Sequence, residues 1–297
     1  VATEANRPAG EERLGNYKIA RTVLFGQNSV ILEVVQDGTG KRFAIKEMLA
    51  GKAVDGAERR TFEAEAKFGM ELHHPNLIRV YEYVKDKNAP YFVMDYFPSE
   101  HLRVILNKRD RAEWFKSRLH RIIEQAASGL AYLHDKGYVH RDVKPENIIV
   151  NKSGEARLID YALAKRVPTG LAKLLAGKPQ REGTHSYMSP EQILRMPPAF
   201  ASDIYSFGIT CYELACGRPP YRANSPGELL NKHLREVPSP PVSHNKNITQ
   251  EFSDLVMQMI RKKPAERPAS MHEVLSRFRR MRVYRDDPEP QAPAAGM

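Results

Sequence analysis

The chain reads as an α+β protein in which strands come first and helices follow. Tyr17 to Phe25, Val30 to Gln36 and Arg42 to Met48 alternate apolar and polar residues, the period of half-buried antiparallel strands. Further on, Ile122, Ala126 and Leu130 recur every four residues while Ile123, Ala127 and Leu133 widen the same stripe, which predicts an amphipathic helix. At 297 residues the chain can bury a large core and is long enough for two lobes. Its hydrophobic share of 41% and charged share of 28% suit a globular protein, and no apolar run reaches the length of a membrane span.

Taken in order, the first residues are polar with Pro and Gly and predict a loose arm, set at residues 1–15. Asp37-Gly38-Thr39-Gly40 supplies a hairpin turn between the second and third strands. Gly38 to Lys41 does not make a phosphate-binding P-loop, because Arg42 follows the lysine and Val35 stands where an earlier Gly is required. Tyr91 to Phe97 reads as a buried strand. The helix through Leu133 then delivers the chain to Tyr138–Asp160, YVHRDVKPENIIVNKSGEARLID, around which everything else is arranged. Two carboxylates and an amide at the ends of short strands suit one kind of work. One acid orients and deprotonates a hydroxyl, while the other joins the amide in holding a hard cation through oxygen.

His140-Arg141-Asp142 with Asn147 resembles the catalytic loop H-R-D-x-x-x-x-N of the serine/threonine protein kinase family, in the form found in bacteria and eukaryotes. Asp160 stands at that family's D-F-G metal ligand, and Lys144-Pro145-Glu146 looks like its serine/threonine branch. Ala44-Ile45-Lys46 resembles the strand lysine that grips the α- and β-phosphates. Glu65 is its helix partner, preferred to Glu63 because it lies nine residues before His74-Pro75-Asn76. Gly183-Thr184 with Tyr187-Met188-Ser189-Pro190-Glu191-Gln192 is similar to the family's substrate loop. Asp203 to Gly208 resembles the start of its central buried helix, and Glu191 with Arg267 matches an interior ion pair. The matches run from about residue 16 to about residue 280.

The resemblance implies a bilobal kinase-like fold: a small antiparallel sheet lobe with one helix, residues 16–97, then a mainly helical lobe, residues 98–285, and a disordered tail at 286–297. It implies ATP between the lobes, with Mg²⁺ (Mn²⁺ the alternative) on Asn147 and Asp160. Catalytic roles fall to Asp142, Lys144, Lys46, Glu65 and Thr184. Nucleotide contacts fall to Leu24, Gly26, Ser29, Ile31, Ala44, Lys46, Met94, Asp95 and Phe97.

Two departures keep a pseudokinase scaffold or switch as the alternative reading. Of the three phosphate-loop glycines only Gly26 is present, with Leu24 and Ser29 at the other two positions. Tyr161-Ala162 replaces Phe-Gly, which brings a hydroxyl in need of a partner and biases the segment toward one conformation. Between Gly170 and Glu182 there is no Ser, Thr or Tyr, so Arg141, which pairs with an activating phosphate in the family, lacks its obvious partner. Thr169, Thr184 and Ser186 remain as phosphorylation candidates, and activity is expected not to need a phosphate within 170–182.

The expected partners are proteins offering Ser or Thr, with Glu146 and Glu100 as a hint of basic residues beside the target. A net charge of +10 favours anions in general. The basic residues are spread along the chain without the aromatic motifs of RNA modules, so nucleic acid is not expected. Arg277, Arg279, Arg280, Arg282 and Arg285 crowd the final predicted helix, a solvated end unless the natural chain continues toward a membrane. Adjacent His73 and His74 read as a turn. Cys211 and Cys216 read as reduced core thiols, which favours the cytoplasm, either free or as the cytoplasmic part of a longer receptor-like kinase. The opening valine fits an excised domain or a processed product.

Overall fold

The computed structural model describes residues 13–49, 56–168 and 182–288. They form two compact units: the chain through His73 with Ile78–Pro98, and His74–Leu77 with everything from Ser99. The first unit is a curled antiparallel sheet in the order β1-β2-β3-β4-β6-β5. Its strands are β1 (Arg13–Leu14), β2 (Tyr17–Phe25), β3 (Ser29–Gln36), β4 (Arg42–Met48), β5 (Val80–Val84) and β6 (Tyr91–Asp95). Arg13 and Leu14 pair with Lys18 and Tyr17. This corrects the arm expected through residue 15, because a tight reversal at Gly15 folds its end back onto β2.

One sheet face buries Tyr17, Val30, Leu32, Val34, Phe43 and Ile45. The other receives α1 (Gly56–Glu71), whose Phe62 and Ala66 pack with Met48, Val80 and Phe92. Two irregularities in the β2–β3 register, at Ile19/Arg21 and Thr22/Leu24, twist the strand. Beyond them Val23, Leu24 and Phe25 are exposed.

The second unit is mainly helical. Its first elements are β7 (Glu100–His101), α2 (Leu102–Leu106), α3 (Arg111–Lys116) and α4 (Leu119–Asp135). In α4 the predicted stripe of Ile122, Ile123, Ala126, Ala127, Leu130 and Leu133 is fully buried. Then come β8 (Tyr138–Val139), β9 (Ile148–Val150), β10 (Ala156–Leu158) and β11 (Lys165–Arg166), and α5 (Pro190–Ile193). The long α6 (Phe200–Cys216) is enclosed on nearly every side. Gly208 lets it approach the end of α9 (Gln250–Met259), since a Cβ there would stand 2.7 Å from the Met259 Cβ. The helices α7 (Pro226–Arg235), α8 (Pro241–His244) and α10 (Met271–Phe278) complete the unit.

His74–Leu77 belongs to this unit through Asn76. The Asn76 side-chain amide donates to the Ala156 carbonyl (3.0 Å) and to Gln125 Oε1 (3.1 Å), and the Asn76 backbone carbonyl accepts from Leu158 N–H (2.8 Å). His74 is a turn residue, its Nδ1 accepting from Asn76 N–H at 3.1 Å. Two expectations at the far end are corrected. The tail expected to be disordered at 286–297 is tied at its start through Asp287, which accepts from the backbone N–H of Val283 and Tyr284, while residues 289–297 lie outside the described residues. Helix α10 stops at Phe278, so Arg279 to Arg285 lie beyond it, and Arg279 pairs with Glu124 at 2.8 Å. Among the described residues no helix is long and apolar enough to cross a membrane.

Candidate active site

In the first unit Lys46 stands on β4 and Glu65 on α1. The Lys46 ammonium donates to both Glu65 oxygens, at 2.7 and 2.8 Å, and lies near the rings of Phe62 and Phe92. The helix period decides between the candidates. Glu65 shares the inward face with Phe62 and Ala66, whereas Glu63 points away and pairs with Lys67. Glu65 is 6% exposed, so its charge requires the ammonium.

The β2–β3 turn at Gly26–Asn28 is closed by Gly26 N–H donating to the Ser29 carbonyl at 2.8 Å. Leu24 pairs with Ile31, and Leu24 and Gly26 are exposed while Ser29 and Ile31 are half-buried. Ala44 lies buried opposite Met94 across β4 and β6. Asp95 N–H donates to the Arg79 carbonyl at 3.0 Å, and Asp95 Oδ1 accepts from Tyr81 at 2.6 Å. Phe97 is half-buried in the segment after β6.

In the second unit the loop between β8 and β9 is braced from four directions. Buried Asp203, near the start of α6, accepts from the backbone N–H of His140 (2.7 Å) and Arg141 (2.8 Å) and from His134 Nε2 (3.0 Å). Burial alone would raise its pKa, but His134, His140 and the backbone donors hold it below the ordinary carboxylate value. His140 Nδ1 lies 3.4 Å from Asp142 N–H, and its Nε2 meets the Ile159 carbonyl at 3.1 Å. Ile159 N–H in turn donates to the Asn147 carbonyl at 3.0 Å, which stitches the loop to the strand end that carries Asp160. Gln192 Nε2, fixed by a capping box with Ser189, donates to the Arg141 carbonyl at 2.9 Å.

That bracing presents one carboxylate. Asp142 Oδ1 accepts from the backbone N–H and the hydroxyl of Thr184, both at 3.0 Å. Its Oδ2 meets the Lys144 ammonium at 2.5 Å and the Asn147 amide at 3.0 Å. Lys144 also donates to Thr184 Oγ1 at 2.6 Å. Burial by itself would raise the Asp142 pKa, but Lys144 first, then His140 and Thr184, outweigh it and hold the group below its ordinary value. The structure thus gathers Asp142, Lys144, Asn147 and Thr184 into one cluster.

Asp160 is exposed, with a left-handed backbone at φ 67° that few non-glycine residues adopt. Its Oδ1 accepts from Ala162 N–H at 3.3 Å. The Tyr161 hydroxyl finds the partner it requires in the Leu158 carbonyl, 3.1 Å away. Arg141 does not lack a partner. Its Nη1 meets Glu182 Oε2 at 2.8 Å, and Lys165 meets the same oxygen at 2.8 Å. The sequence reading passed over Glu182, although an acid immediately before Gly183-Thr184 was the signal available. Thr169 lies outside the described residues, as do the lysines and arginine of 170–181.

Further along, Arg267 makes a two-pronged pair with Glu191, at 2.7 and 2.9 Å, with both side chains almost fully buried. A sheet unit carrying an ammonium–carboxylate pair, followed by a helical unit with a braced acid, an amide and a second acid, defines the bilobal α+β class of protein-kinase type. The Protein kinase domain family model matches residues 17–278, and the chain belongs to that family.

The chain is 29% identical over 262 residues to a probable serine/threonine-protein kinase of Clostridium acetobutylicum, covering 87% of this chain and 39% of that protein. It is equally similar to serine/threonine-protein kinase pkn2 of Myxococcus xanthus, over 88% of this chain and 32% of that protein. With serine/threonine-protein kinase PknA of Mycobacterium tuberculosis the identity is again 29%, over 95% of this chain and 65% of the relative. The chain therefore spans less than half the length of the first two of these relatives.

Proposed function

We propose that this chain is the catalytic domain of a serine/threonine protein kinase, moving the γ-phosphoryl of ATP to protein Ser or Thr hydroxyls. The observation that carries the reading is the Asp142 carboxylate, ionised and fixed by Thr184 on one oxygen and by Lys144 and Asn147 on the other. A base must be aimed and charged before its substrate arrives, and this one is both. In the reaction a bond forms between the acceptor oxygen and the γ-phosphorus as the bond to ADP breaks, and Asp142 receives the hydroxyl proton. Lys144 offsets charge on the transferring group, Thr184 shapes the place of the hydroxyl, and Lys46, aimed by Glu65, grips the α- and β-phosphates.

The donor set at Asn147 and Asp160 fits a hard cation. One is an amide whose nitrogen is committed to Asp142, which leaves its oxygen as the donor for a cation; the other is an exposed carboxylate on the adjoining strand end. A bound Mg²⁺, or Mn²⁺ in its place, would supply positive charge to the phosphate oxygens. Most of the rate is expected from positioning and charge, and the altered glycine loop argues for turnover in the lower part of roughly 1–100 per second. The pseudokinase alternative gains nothing from the relatives, which bear the names of kinases. Cys211 and Cys216 are free thiols on α6, which supports a cytoplasmic place of work. Incubation with labelled ATP, Mg²⁺ and a Ser/Thr peptide mixture tests the reading against Asp142→Asn. Transfer by the parent chain alone is expected, and equal labelling by both would overturn it.

A further inference from the structure

The sheet face assigned to the nucleotide carries a buried acid for which the proposed reaction has no use. Strand register sets Arg21, Glu33, Ala44 and Met94 opposite one another across β2, β3, β4 and β6, so their side chains share one face. Ile31 and Lys46 make the neighbouring pair on that face, two residues along. Glu33 therefore stands directly beside Ala44, since cross-strand partners lie about 4.5–5.5 Å apart at Cβ. Glu33 is 2% exposed. A carboxylate so enclosed requires opposite charge and hydrogen bonds.

Both come from within the first unit. Arg21 Nε donates to Glu33 Oε2 at 2.8 Å, and Arg42, two residues before Ala44 on β4, pairs with Oε1. The Tyr96 hydroxyl accepts from Arg21 at 3.3 Å and from Arg42 at 3.2 Å, and it is hydrogen-bonded to Glu33 as well. The Arg42 guanidinium also lies 4.4 Å from the centre of the Tyr96 ring. Burial alone would raise the Glu33 pKa, but Arg42 first, then Tyr96 and Arg21, hold it below the ordinary value. Both arginines keep a side open to solvent, so the buried acid is the fixed centre of the group.

Tyr96 stands between Asp95 and Phe97, both assigned to the nucleotide. The Asp95 carbonyl and the Phe97 N–H belong to the two peptide planes that meet at the Tyr96 Cα. Only φ and ψ of Tyr96 set how those two groups point relative to each other. Asp95 is already held on its own side, by the Arg79 carbonyl and the Tyr81 hydroxyl. A tyrosine tied by both ring and hydroxyl restricts the freedom that remains.

We propose that Arg42 and Glu33 are positioning residues for the nucleotide's base: they fix Tyr96, and through it the backbone groups of Asp95 and Phe97 beside Ala44. The inference rests on the proposed kinase reading.

The test separates the base from the phosphates. Kd values for ATP and for adenosine are read by competition against a fluorescent adenine nucleotide, and transfer to a serine peptide gives kcat and the KM for ATP. Arg42→Ala is expected to weaken ATP and adenosine alike, by about tenfold or 1.4 kcal/mol, while kcat at saturating ATP falls by less than about threefold. Arg42→Lys keeps a charge for Glu33 without the flat guanidinium, and an intermediate loss is expected. Tyr96→Phe keeps the ring and loses the hydroxyl, with a loss of about threefold expected in both Kd values. Arg13→Ala removes an exposed ion pair with Asp37 in the same sheet and is expected to change neither. A folded Arg42→Ala with adenosine Kd within about twofold of the parent would overturn the proposal. So would a loss of ATP affinity without loss of adenosine affinity, which places the effect at the phosphates. If Arg42→Ala does not fold, unchanged adenosine binding in both Arg42→Lys and Tyr96→Phe overturns it equally. The expected Kd changes without any phosphoryl transfer would overturn the kinase reading alone, and a parent chain that binds neither ligand would overturn both.

Discussion

The two loops assigned to the nucleotide's phosphates and to the acceptor hydroxyl are built in opposite ways. The β2–β3 turn is closed by one backbone bond between Gly26 and Ser29, beyond a twisted stretch whose Val23, Leu24 and Phe25 face solvent. The loop from Tyr138 to Asn147 is buried and held by Asp203, His140, Gln192, Lys144 and Thr184. The contrast teaches where substitution is tolerated. A turn that contributes backbone to its own closure loses little when side chains change. A loop that aims one carboxylate through five partners loses its aim with any of them.

The largest effect is expected at the aimed group itself. Asp142→Asn should lower single-turnover phosphoryl transfer by about 10²–10⁴-fold while nucleotide binding persists. A fall no greater than that caused by changes in the β2–β3 turn would break the comparison.

Next come the interior charges that support the loop's surroundings. Arg267→Met, which strands buried Glu191, should cost about 3–5 kcal/mol in urea denaturation. Asp203→Ala leaves the buried N–H groups of His140 and Arg141 without an acceptor, at about 1–3 kcal/mol for each.

Lys144→Met sharpens the comparison through pH. The Asp142 pKa in the folded chain lies below its unfolded value, so the stabilisation it brings is present above the unfolded value and lost as pH falls through the folded one. Removing Lys144 takes away its leading lowering contribution and leaves burial to raise it. The acid limb of kcat/KM should move to higher pH, and the loss of stability on acidification that Asp142 contributes should shrink. An acid limb that stays in place would show that Lys144 does not set the ionisation of Asp142.

The smallest effect is expected in the turn. Leu24→Gly should cost about 0.5–1 kcal/mol of local stability, the usual penalty for glycine in a strand. Its KM for ATP should change by less than about fivefold.

The same contrast explains what was legible in the sequence. The loop's residues stand at fixed spacings because each must reach a fixed partner, so Asp142, Asn147 and Asp160 could be read as a set. Asp203 and the Glu191–Arg267 pair, whose members stand 76 residues apart, were readable only through their resemblance to the family's motifs. The alternation of β2 to β4 and the stripe of α4 gave the α+β class. What could not be read depends on partners brought together only by folding. Glu182 meets Arg141 from 41 residues away, and Arg103 meets Glu213 from 110. No local period links such pairs. The strand at Arg13–Leu14 was hidden for a different reason, since two residues are too few to show alternation.

The short piece His74–Leu77 has a practical consequence. It is the one part of the second unit that precedes the sheet's last two strands, and Leu158, Ala156 and Gln125 all rest on Asn76. Cutting the gene at the visible border and producing residues 99–288 alone would therefore yield a barrel short of one stave. The strand end leading to Asp160 would lose the hydrogen bonds that Asn76 makes to Ala156, Leu158 and Gln125.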